Sequence, residues 1–322
     1  MKTNILITSA GQRVSLVKAF KTELKKKFPD SKVITVDLCP ELSPACRISD
    51  LYYKICRVSN ENYISELLEI CRKENIGMII PTIDTELRIL SENKSIFDIE
   101  NIQLIVSGNG FIKHCRDKRE LNDFFKTYDM RFPQPVDKHR PTFPLFIKPY
   151  DGSLSKDIYI IKDATQLTDF HINHPKFMFM EYVDPDFYKE YTIDCYYNKN
   201  NTLSCAVPRQ RISVRSGEIH KGITAKNHII DYLKEKVNMI PGAIGCITFQ
   251  LFYNKENDDI IAIEINPRFG GGYPLSYEAG ANYPKMLIEE YFENQVIDYR
   301  DDWEDKLLML RYDAEVLVRN YE

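Results

Sequence analysis

The chain has 322 residues, of which 43% are hydrophobic and 28% charged, and its formal net charge at pH 7 is −4. This length predicts two or three subdomains, and the weak negative charge argues against nucleic-acid or anionic-membrane partners. No secretory signal and no apolar run of roughly 18 residues are present, and eight scattered cysteines suit free thiols, so we expect a cytoplasmic protein.

Strands and helices alternate through the first hundred residues. Strands are predicted at 4–8, 32–36, 77–81 and 103–106, and helices at about 13–28, at 63–75 and from residue 86. This alternation predicts an open parallel sheet, which binds ligands at the carboxyl ends of its strands.

A nicotinamide-binding sheet is an alternative interpretation of this segment, because Asp37 follows the second strand and could hold a ribose. The turn after the first strand, Ser9 to Arg13 (SAGQR), contains one glycine and lacks the G-x-G-x-x-G pattern of dinucleotide-binding turns. Hydride chemistry is therefore the weaker interpretation.

A helix is predicted at 114–128, and an apolar strand at 144–149 then carries Lys148. An unpaired ammonium group is costly to bury, so this lysine calls for an anion such as phosphate. A lysine whose stem packs while its head reaches solvent is the alternative. The next residues, DGSLSK, combine small side chains with hydroxyls that can donate to phosphate oxygens. Gly152, Ser153 and Ser155 are the predicted contacts.

Two further strands carry polar side chains on one face. The strand at 190–194 places Glu190, Thr192 and Asp194 together, and the period of two groups Arg209, Arg211 and Arg215 on the strand at 207–215. Guanidinium groups repel one another unless they contact an anion or water, so this stripe could bind a phosphate or a carboxylate. A solvated strand is the alternative.

A hairpin is predicted at 246–265, with residues 254–259 as its loop. Cross-strand partners should then have numbers that sum to about 513 or 514, which places Gln250 beside Glu264 and Asn266 on the same face. Oxygen ligands with Arg268 and a glycine-rich turn beside them suit Mg²⁺ and phosphate. An edge hairpin with polar residues facing water is the alternative. A helix at 284–292 and one or two strands at 307–318 end the chain.

Gln250, Glu264 and Asn266, followed by Pro267-Arg268, resemble the metal-binding strand pair of the ATP-grasp superfamily. The nearest variant is the carbamoyl-phosphate-synthase large-chain branch, here standing alone. The resemblance covers nearly the whole chain and implies an α/β fold. A pre-ATP-grasp parallel sheet (residues 1–112) would precede a two-subdomain α+β ATP-grasp unit (residues 113–322), with a lid at about 140–185.

The resemblance also implies ATP and Mg²⁺ as cofactors, with Mn²⁺ as an alternative ion, and it assigns roles to residues. The metal ligands would be Gln250, Glu264 and Asn266; the phosphate contacts Lys118, Lys148, Gly152, Ser153 and Ser155; the adenine contacts Glu181, Tyr182 and Val183; the ribose contact Glu190; and the catalytic residues Lys148, Arg211 and Arg268. The turn from Pro81 to Glu86 (PTIDTE) resembles one that often faces the acceptor substrate, although a plain helix cap is the alternative.

These assignments predict a carboxylate-amine ligase that works through an acyl phosphate, with an amino acid or another small carboxylate as substrate. Small carboxylates and amines are the expected partners, and a homodimer is common for such folds. The alternative is a non-catalytic ATP-binding regulatory or scaffold protein with the same fold.

Overall fold

A computed structural model describes residues 2–151, 157–215 and 217–321, and it confirms the α/β class. The first sheet is parallel throughout, in the order β3-β2-β1-β4-β5. Its strands are β1 (Asn4–Ile7), β2 (Val33–Asp37), β3 (Leu51–Lys54), β4 (Ile76–Ile80) and β5 (Gln103–Leu104). The helices of this region are α1 (Val14–Lys27), α2 (Pro44–Ile48), α3 (Tyr63–Lys73), α4 (Asp84–Glu92) and α5 (Lys94–Ile99).

Strand β3 is the one strand of this sheet that the sequence did not predict. It lies at the edge, and its LYYK sequence is only partly buried. The central strands are almost fully buried apolar runs, as expected for a parallel sheet covered on both faces. An edge strand lacks that continuous apolar run, and so it lacks the pattern on which prediction depends.

The helix predicted at 114–128 is confirmed at Lys118–Thr127, but its predicted start is wrong, because two helices meet there. Helix α6 (Asn109–Arg116) ends and α7 (Lys118–Thr127) begins at Asp117, whose backbone is extended at φ −103° and ψ 116°. The Asp117 carboxylate accepts a hydrogen bond from the Arg119 backbone N–H at 2.9 Å and so caps α7.

A small antiparallel sheet follows, in the order β7-β6-β8. It consists of β6 (Leu145–Pro149), β7 (Tyr159–Ile161) and β8 (Phe177–Glu181), accompanied by the short helix α8 (Asp169–Asn173). The sheet has its own small core, formed by Leu145, Ile147, Ile161 and Phe179. The predicted division at residue 112, with a lid at about 140–185, stays a prediction.

The largest sheet is antiparallel, in the order β13-β12-β9-β10-β11-β14. Its strands are β9 (Lys189–Tyr197), β10 (Leu203–Arg215), β11 (Glu218–Thr224), β12 (Gly245–Asn254), β13 (Asp259–Asn266) and β14 (Leu308–Leu310), and its helices are α9 (Ile229–Val237), α10 (Tyr273–Glu278) and α11 (Tyr283–Tyr291). Of the closing strands predicted at 307–318, β14 alone forms, and most of the chain from residue 311 to 321 is exposed.

The parallel sheet and the large sheet share one hydrophobic core. Phe20 of α1 packs edge-on against Phe269 with ring centroids 5.8 Å apart, and Tyr196 and Tyr283 belong to the same buried cluster. The carboxyl ends of the parallel strands are thereby placed against the turn that follows β13. No helix in the described part of the chain is long and apolar enough to cross a membrane.

Candidate active site

The hairpin register is the one the sequence predicts. Gln250 pairs with Glu264 and Thr248 with Asn266, whereas Leu251 pairs with Ala262. The numbers of paired residues sum to 514 on one side of Ile263 and to 513 on the other, because Ile263 is an extra residue between the two registers, that is, a β-bulge. Gln250 and Glu264 therefore lie side by side on one face of the sheet.

Glu190 connects Gln250 with Arg211. The Gln250 side-chain amide donates to the Glu190 carboxylate, which also forms an ion pair with Arg211 Nε at 3.2 Å. Arg211 in turn donates to the Thr192 hydroxyl at 3.3 Å and to the Gly217 carbonyl at 3.2 Å. The predicted ribose contact, the predicted catalytic arginine and one predicted metal ligand thus form one cluster.

Glu264 is half-buried, and its carboxylate makes no hydrogen bond or ion pair with any residue in the described part of the chain. It still interacts electrostatically with Lys148 and Arg268. The side-chain amide oxygen Oδ1 of the neighbouring Asn266 accepts a hydrogen bond from Arg268 Nη2 at 3.4 Å. A carboxylate without a partner, flanked by amide oxygens, is a donor set that fits a divalent cation.

Lys148, on strand β6 of the small sheet, lies close enough to Glu264 to interact with its charge. Burial, reinforced by the charge of Lys118 and opposed by that of Glu264, lowers the pKa of Lys148 to about 8. No described residue accepts a hydrogen bond from its ammonium group; the Phe146 ring centroid lies 5.9 Å away. Lys118 is brought close because its backbone N–H donates to the Tyr150 carbonyl at 3.3 Å. Two lysines and Glu264 therefore converge from three elements.

The other predicted nucleotide contacts differ in how far the structure describes them. Gly152, Ser153 and Ser155 lie outside the described residues. The Glu181 carboxylate already pairs with Arg131 at 3.1 Å, and its backbone N–H donates to the Gln134 carbonyl at 2.8 Å. Tyr182 and Val183 are half-buried in the segment between β8 and β9. The adenine and phosphate-loop roles of these residues stay predictions.

Arg268 forms the contact between the large sheet and the parallel sheet. It donates from Nε to both Asp84 oxygens, at 3.1 and 3.2 Å, and from Nη2 to one of them at 2.8 Å. Burial alone would lower the pKa of Arg268, but the charge and hydrogen bonds of Asp84 and the charges of Glu218 and Glu264 together outweigh burial, and the pKa is raised. Asp84 is the first residue of α4, within the predicted acceptor turn.

Glu86 in the same turn has a structural role. Its buried carboxylate accepts from the backbone N–H groups of Thr82 and Ile83, at 2.7 and 3.1 Å, and from the Ser9 hydroxyl at 2.9 Å. Burial raises the pKa of Glu86 despite these donors. The two carboxylates of this turn thus have different roles: Glu86 caps α4, and Asp84 contacts the site.

The predicted stripe of three arginines holds for Arg209 and Arg211, which both contact polar side chains on one face of β9, but each of the three arginines pairs with a different carboxylate. Arg209 and Asp194 are each 0% exposed and form an ion pair, with Nε 2.9 Å from Oδ2 and Nη2 2.9 Å from Oδ1. Arg215 instead pairs with the exposed Asp313 at 2.9 Å. The strand register shifts twice beyond Arg211, which breaks the two-residue period. Arg211 is the member that stays at the site.

Sequence reasoning missed three charged residues near Arg268, namely Arg13, Glu218 and Arg311. Glu218 begins β11, a strand that was not predicted, and Arg311 follows β14. The side chains of these residues meet only through the tertiary fold, and no local spacing links them.

Two family models match the chain. Residues 5–105 match a model described as the PylC-like N-terminal domain, and residues 173–311 match one described as ATP-grasp in the biosynthetic pathway with Ter operon. A comparison with curated protein sequences finds no match.

Three solved structures illustrate the likeness in fold. N5-carboxyaminoimidazole synthetase from Staphylococcus aureus, complexed with ADP, is 18% identical over 92% of this chain and 79% of that chain, with a TM-score of 0.70. The biotin carboxylase domain dimer of Hydrogenobacter thermophilus 2-oxoglutarate carboxylase, with MgADP, ADP and bicarbonate, is 12% identical over 95% and 73%, with a TM-score of 0.70. L-amino acid ligase from Bacillus licheniformis is 14% identical over 90% and 74%, with a TM-score of 0.66.

The sheet order, the hairpin of β12 and β13 and these matches define an ATP-grasp fold. Residues 173–311 match an ATP-grasp family model and the chain has the ATP-grasp fold, as the sequence predicted.

Proposed function

We propose that the protein is an ATP- and Mg²⁺-dependent carboxylate-amine ligase that acts through an acyl phosphate on an amino acid or another small carboxylate. The observation that carries the proposal is the convergence of the Lys148 ammonium and the Glu264 carboxylate, neither of which has a hydrogen-bond or ion-pair partner among the described residues, with Gln250 and Asn266 beside them. A cation and an anion that share a site without a direct bond suit a metal-bound polyphosphate lying between them. ADP-bound and MgADP-bound neighbours of the same fold support the choice of nucleotide.

The donor set fits Mg²⁺ in a nucleotide complex better than a metal bound alone. Gln250, Glu264 and Asn266 offer one carboxylate and two amide oxygens, and no cluster of three His, Cys, Asp or Glu side chains occurs among the described residues. Mg²⁺ prefers oxygen ligands and usually takes some of them from substrate phosphates. When bound, the ion would neutralise phosphate charge during phosphoryl transfer.

The protein's own residues would position and neutralise the reactants. Lys148 would bind phosphate oxygens, Glu190 would accept hydrogen bonds from ribose hydroxyls, and Arg211 would hold Glu190 in place. Arg268, fixed by Asp84, would face the carboxylate that becomes phosphorylated. Electrostatic positioning of this kind can supply most of the acceleration in phosphoryl transfer.

No covalent nucleophile is needed, and the thiol nearest the site does not suit that role. Burial, with the charges of Asp84 and Glu264 as smaller contributions, raises the pKa of Cys115 well above its ordinary value. The thiol therefore stays protonated at neutral pH and is a weak nucleophile.

The test is ADP release from MgATP with pooled carboxylates and amines, followed by mass spectrometry of the products. We expect wild-type turnover that depends on both pools, and its abolition in Glu264→Ala and Asn266→Ala with unchanged thermal unfolding. Asp123→Asn, on the exposed face of α7, is the control and should be fully active. ATP binding without ADP release under every condition would instead favour a non-catalytic ATP-binding protein.

A further inference from the structure

Five charged side chains surround the junction of the parallel sheet and the large sheet, and we call them the Arg13 cluster. Its members are Arg13, Asp84, Glu218, Arg268 and Arg311. They come from the turn before α1, from α4, from β11, from the turn after β13 and from the segment after β14. The cluster has three guanidinium groups and two carboxylates, and so a net charge of +1.

The partners within the cluster are unequal. Arg268 is held by three hydrogen bonds to Asp84. Arg311 donates to the Gly271 carbonyl at 2.5 Å and lies 4.0 Å from Glu218. Arg13 makes no hydrogen bond or ion pair with any residue in the described ranges, although it interacts electrostatically with the other four. The unmatched positive charge therefore belongs to Arg13.

The Arg13 cluster packs closely against the glycine-rich turn that follows β13. A Cβ atom placed on Gly271 would lie 1.6 Å from Oε2 of Glu218, so this carboxylate lies directly against bare backbone. Arg13 is half-buried, and both burial and the neighbouring Arg268 lower its pKa. An arginine in such surroundings gains most from an anion that binds its planar group with two hydrogen bonds.

We propose that the Arg13 cluster binds an anionic group, a carboxylate or a phosphate, that the amine substrate carries besides its amino group. Arg13 is the specificity-determining contact, and Glu218 lies where it can accept hydrogen bonds from the ammonium form of the same molecule. This proposal rests on the proposed ligase function, since it names the class of amine substrate. It adds Arg13, Glu218 and Arg311 to the site, beside Asp84 and Arg268, which already have roles in the proposed phosphoryl transfer.

The test compares probes that differ only in the anionic group. An equimolar pool of the twenty L-amino acids is matched with the pool of their α-carboxamides, and phosphoethanolamine is matched with ethanolamine. Binding in the presence of MgADP is measured by saturation-transfer NMR, and affinities are then obtained by calorimetry. The variants are Arg13→Gln and Arg13→Lys, with Arg72→Gln, an exposed arginine paired with Glu100, as the control.

We expect at least one anionic probe to bind wild-type protein about 10-fold or more tightly than its neutral partner. Arg13→Gln should weaken that binding by about 10- to 100-fold, the usual effect of losing a charged hydrogen bond, while MgADP affinity and thermal unfolding stay unchanged. Arg13→Lys should keep part of the preference, and Arg72→Gln all of it. The arm that responds identifies the anion as carboxylate or phosphate.

Equal binding of anionic and neutral probes, a preference that survives in Arg13→Gln, or no binding of any anionic probe would overturn the proposal. ADP release from MgATP, measured separately, tests the ligase function. Anion-dependent binding without ADP release would support the anion site and contradict the ligase function. ADP release with neutral and anionic amines used equally well would support the ligase function and contradict the anion site.

Discussion

Asp84 and Arg268 join the carboxyl end of the parallel sheet to the turn that follows β13 through three hydrogen bonds of 2.8 to 3.2 Å. Arg268 would otherwise be a mostly buried guanidinium beside Asn266, and its orientation depends on this carboxylate. The two parts of the molecule thus share one side-chain contact at the point where we place the reacting carboxylate.

We expect Asp84→Asn to lower kcat/KM for the carboxylate substrate by about 10- to 100-fold, because a charged hydrogen-bond partner of Arg268 is lost. The KM for ATP should change little, since the nucleotide contacts lie on other strands. Steady-state kinetics with each substrate varied in turn separates these effects. Equal losses for both substrates would contradict a role confined to the carboxylate side.

Lys148 should impose a pH limit on ATP binding. Its pKa of about 8 in the free protein means that the phosphate-binding charge is lost as the pH rises above that value. We expect kcat/KM for ATP to fall about tenfold per pH unit above pH 8. Lys148→Arg, whose guanidinium stays charged, should remove this inflection. A wild-type profile that is flat to pH 10 would disprove the assignment.

Lys148 should destabilise the nucleotide-free protein. Its folded-state pKa is below its ordinary value of 10.5, so the buried charge destabilises the fold fully below about pH 8. The penalty disappears as the pH rises through 10.5, where the lysine is neutral in both states. Lys148→Met should therefore raise the free energy of unfolding by up to about 3 kcal/mol at pH 7 and by much less at pH 10. Urea unfolding at the two pH values measures the difference.

The metal assignment predicts a specific change in nucleotide affinity. Wild-type protein should bind ATP more tightly with Mg²⁺ than with a chelator, because Glu264 repels bare phosphates and attracts the metal complex. Glu264→Gln should remove most of that difference while metal-free ATP still binds, as measured by calorimetry. Persistence of the full Mg²⁺ effect in the variant would place the metal elsewhere.

Gly272 should be intolerant of a side chain, because the buried Arg209 lies beneath it. A Cβ atom at Gly272 would lie 2.1 Å from Nη1 of Arg209, and that guanidinium is fixed by Asp194. We expect Gly272→Ala to destabilise the protein by about 1–3 kcal/mol through overpacking. Gly110→Ala is the matched control: nothing lies within 4 Å of its Cβ position, and alanine favours the helix by up to about 1 kcal/mol. Thermal and urea unfolding compare the two.

What the sequence could predict follows from how local each pattern is. The pairing of Gln250 with Glu264 was predictable because a hairpin relates its two strands through one short loop. The parallel sheet was predictable from buried apolar runs separated by helices. The break at Asp117 was missed because it depends on the extended backbone of this one residue, whose carboxylate caps the helix that begins after it.

The Arg209–Asp194 pair and the Arg13 cluster could not be read from the chain. Arg209 looks like a member of a basic strand face, but the neighbouring strand β9 supplies the buried carboxylate of Asp194 that pairs with it. Arg13 and Arg311 are 298 positions apart and meet only because two sheets pack together. Such contacts depend on the tertiary arrangement, which local periodicity does not encode.

The bulge at Ile263 determines which way the predicted ligands point. With uninterrupted pairing from Leu251 and Ala262, Glu264 would stand opposite Phe249, whose side chain is fully buried, and a carboxylate would enter the core. One extra residue thus reverses which face of the sheet the side chains in the second half of β13 point to. Deleting Ile263 should straighten the strand yet keep Glu264 opposite Gln250, because the residues on either side of the bulge already have the registers that a regular strand would join.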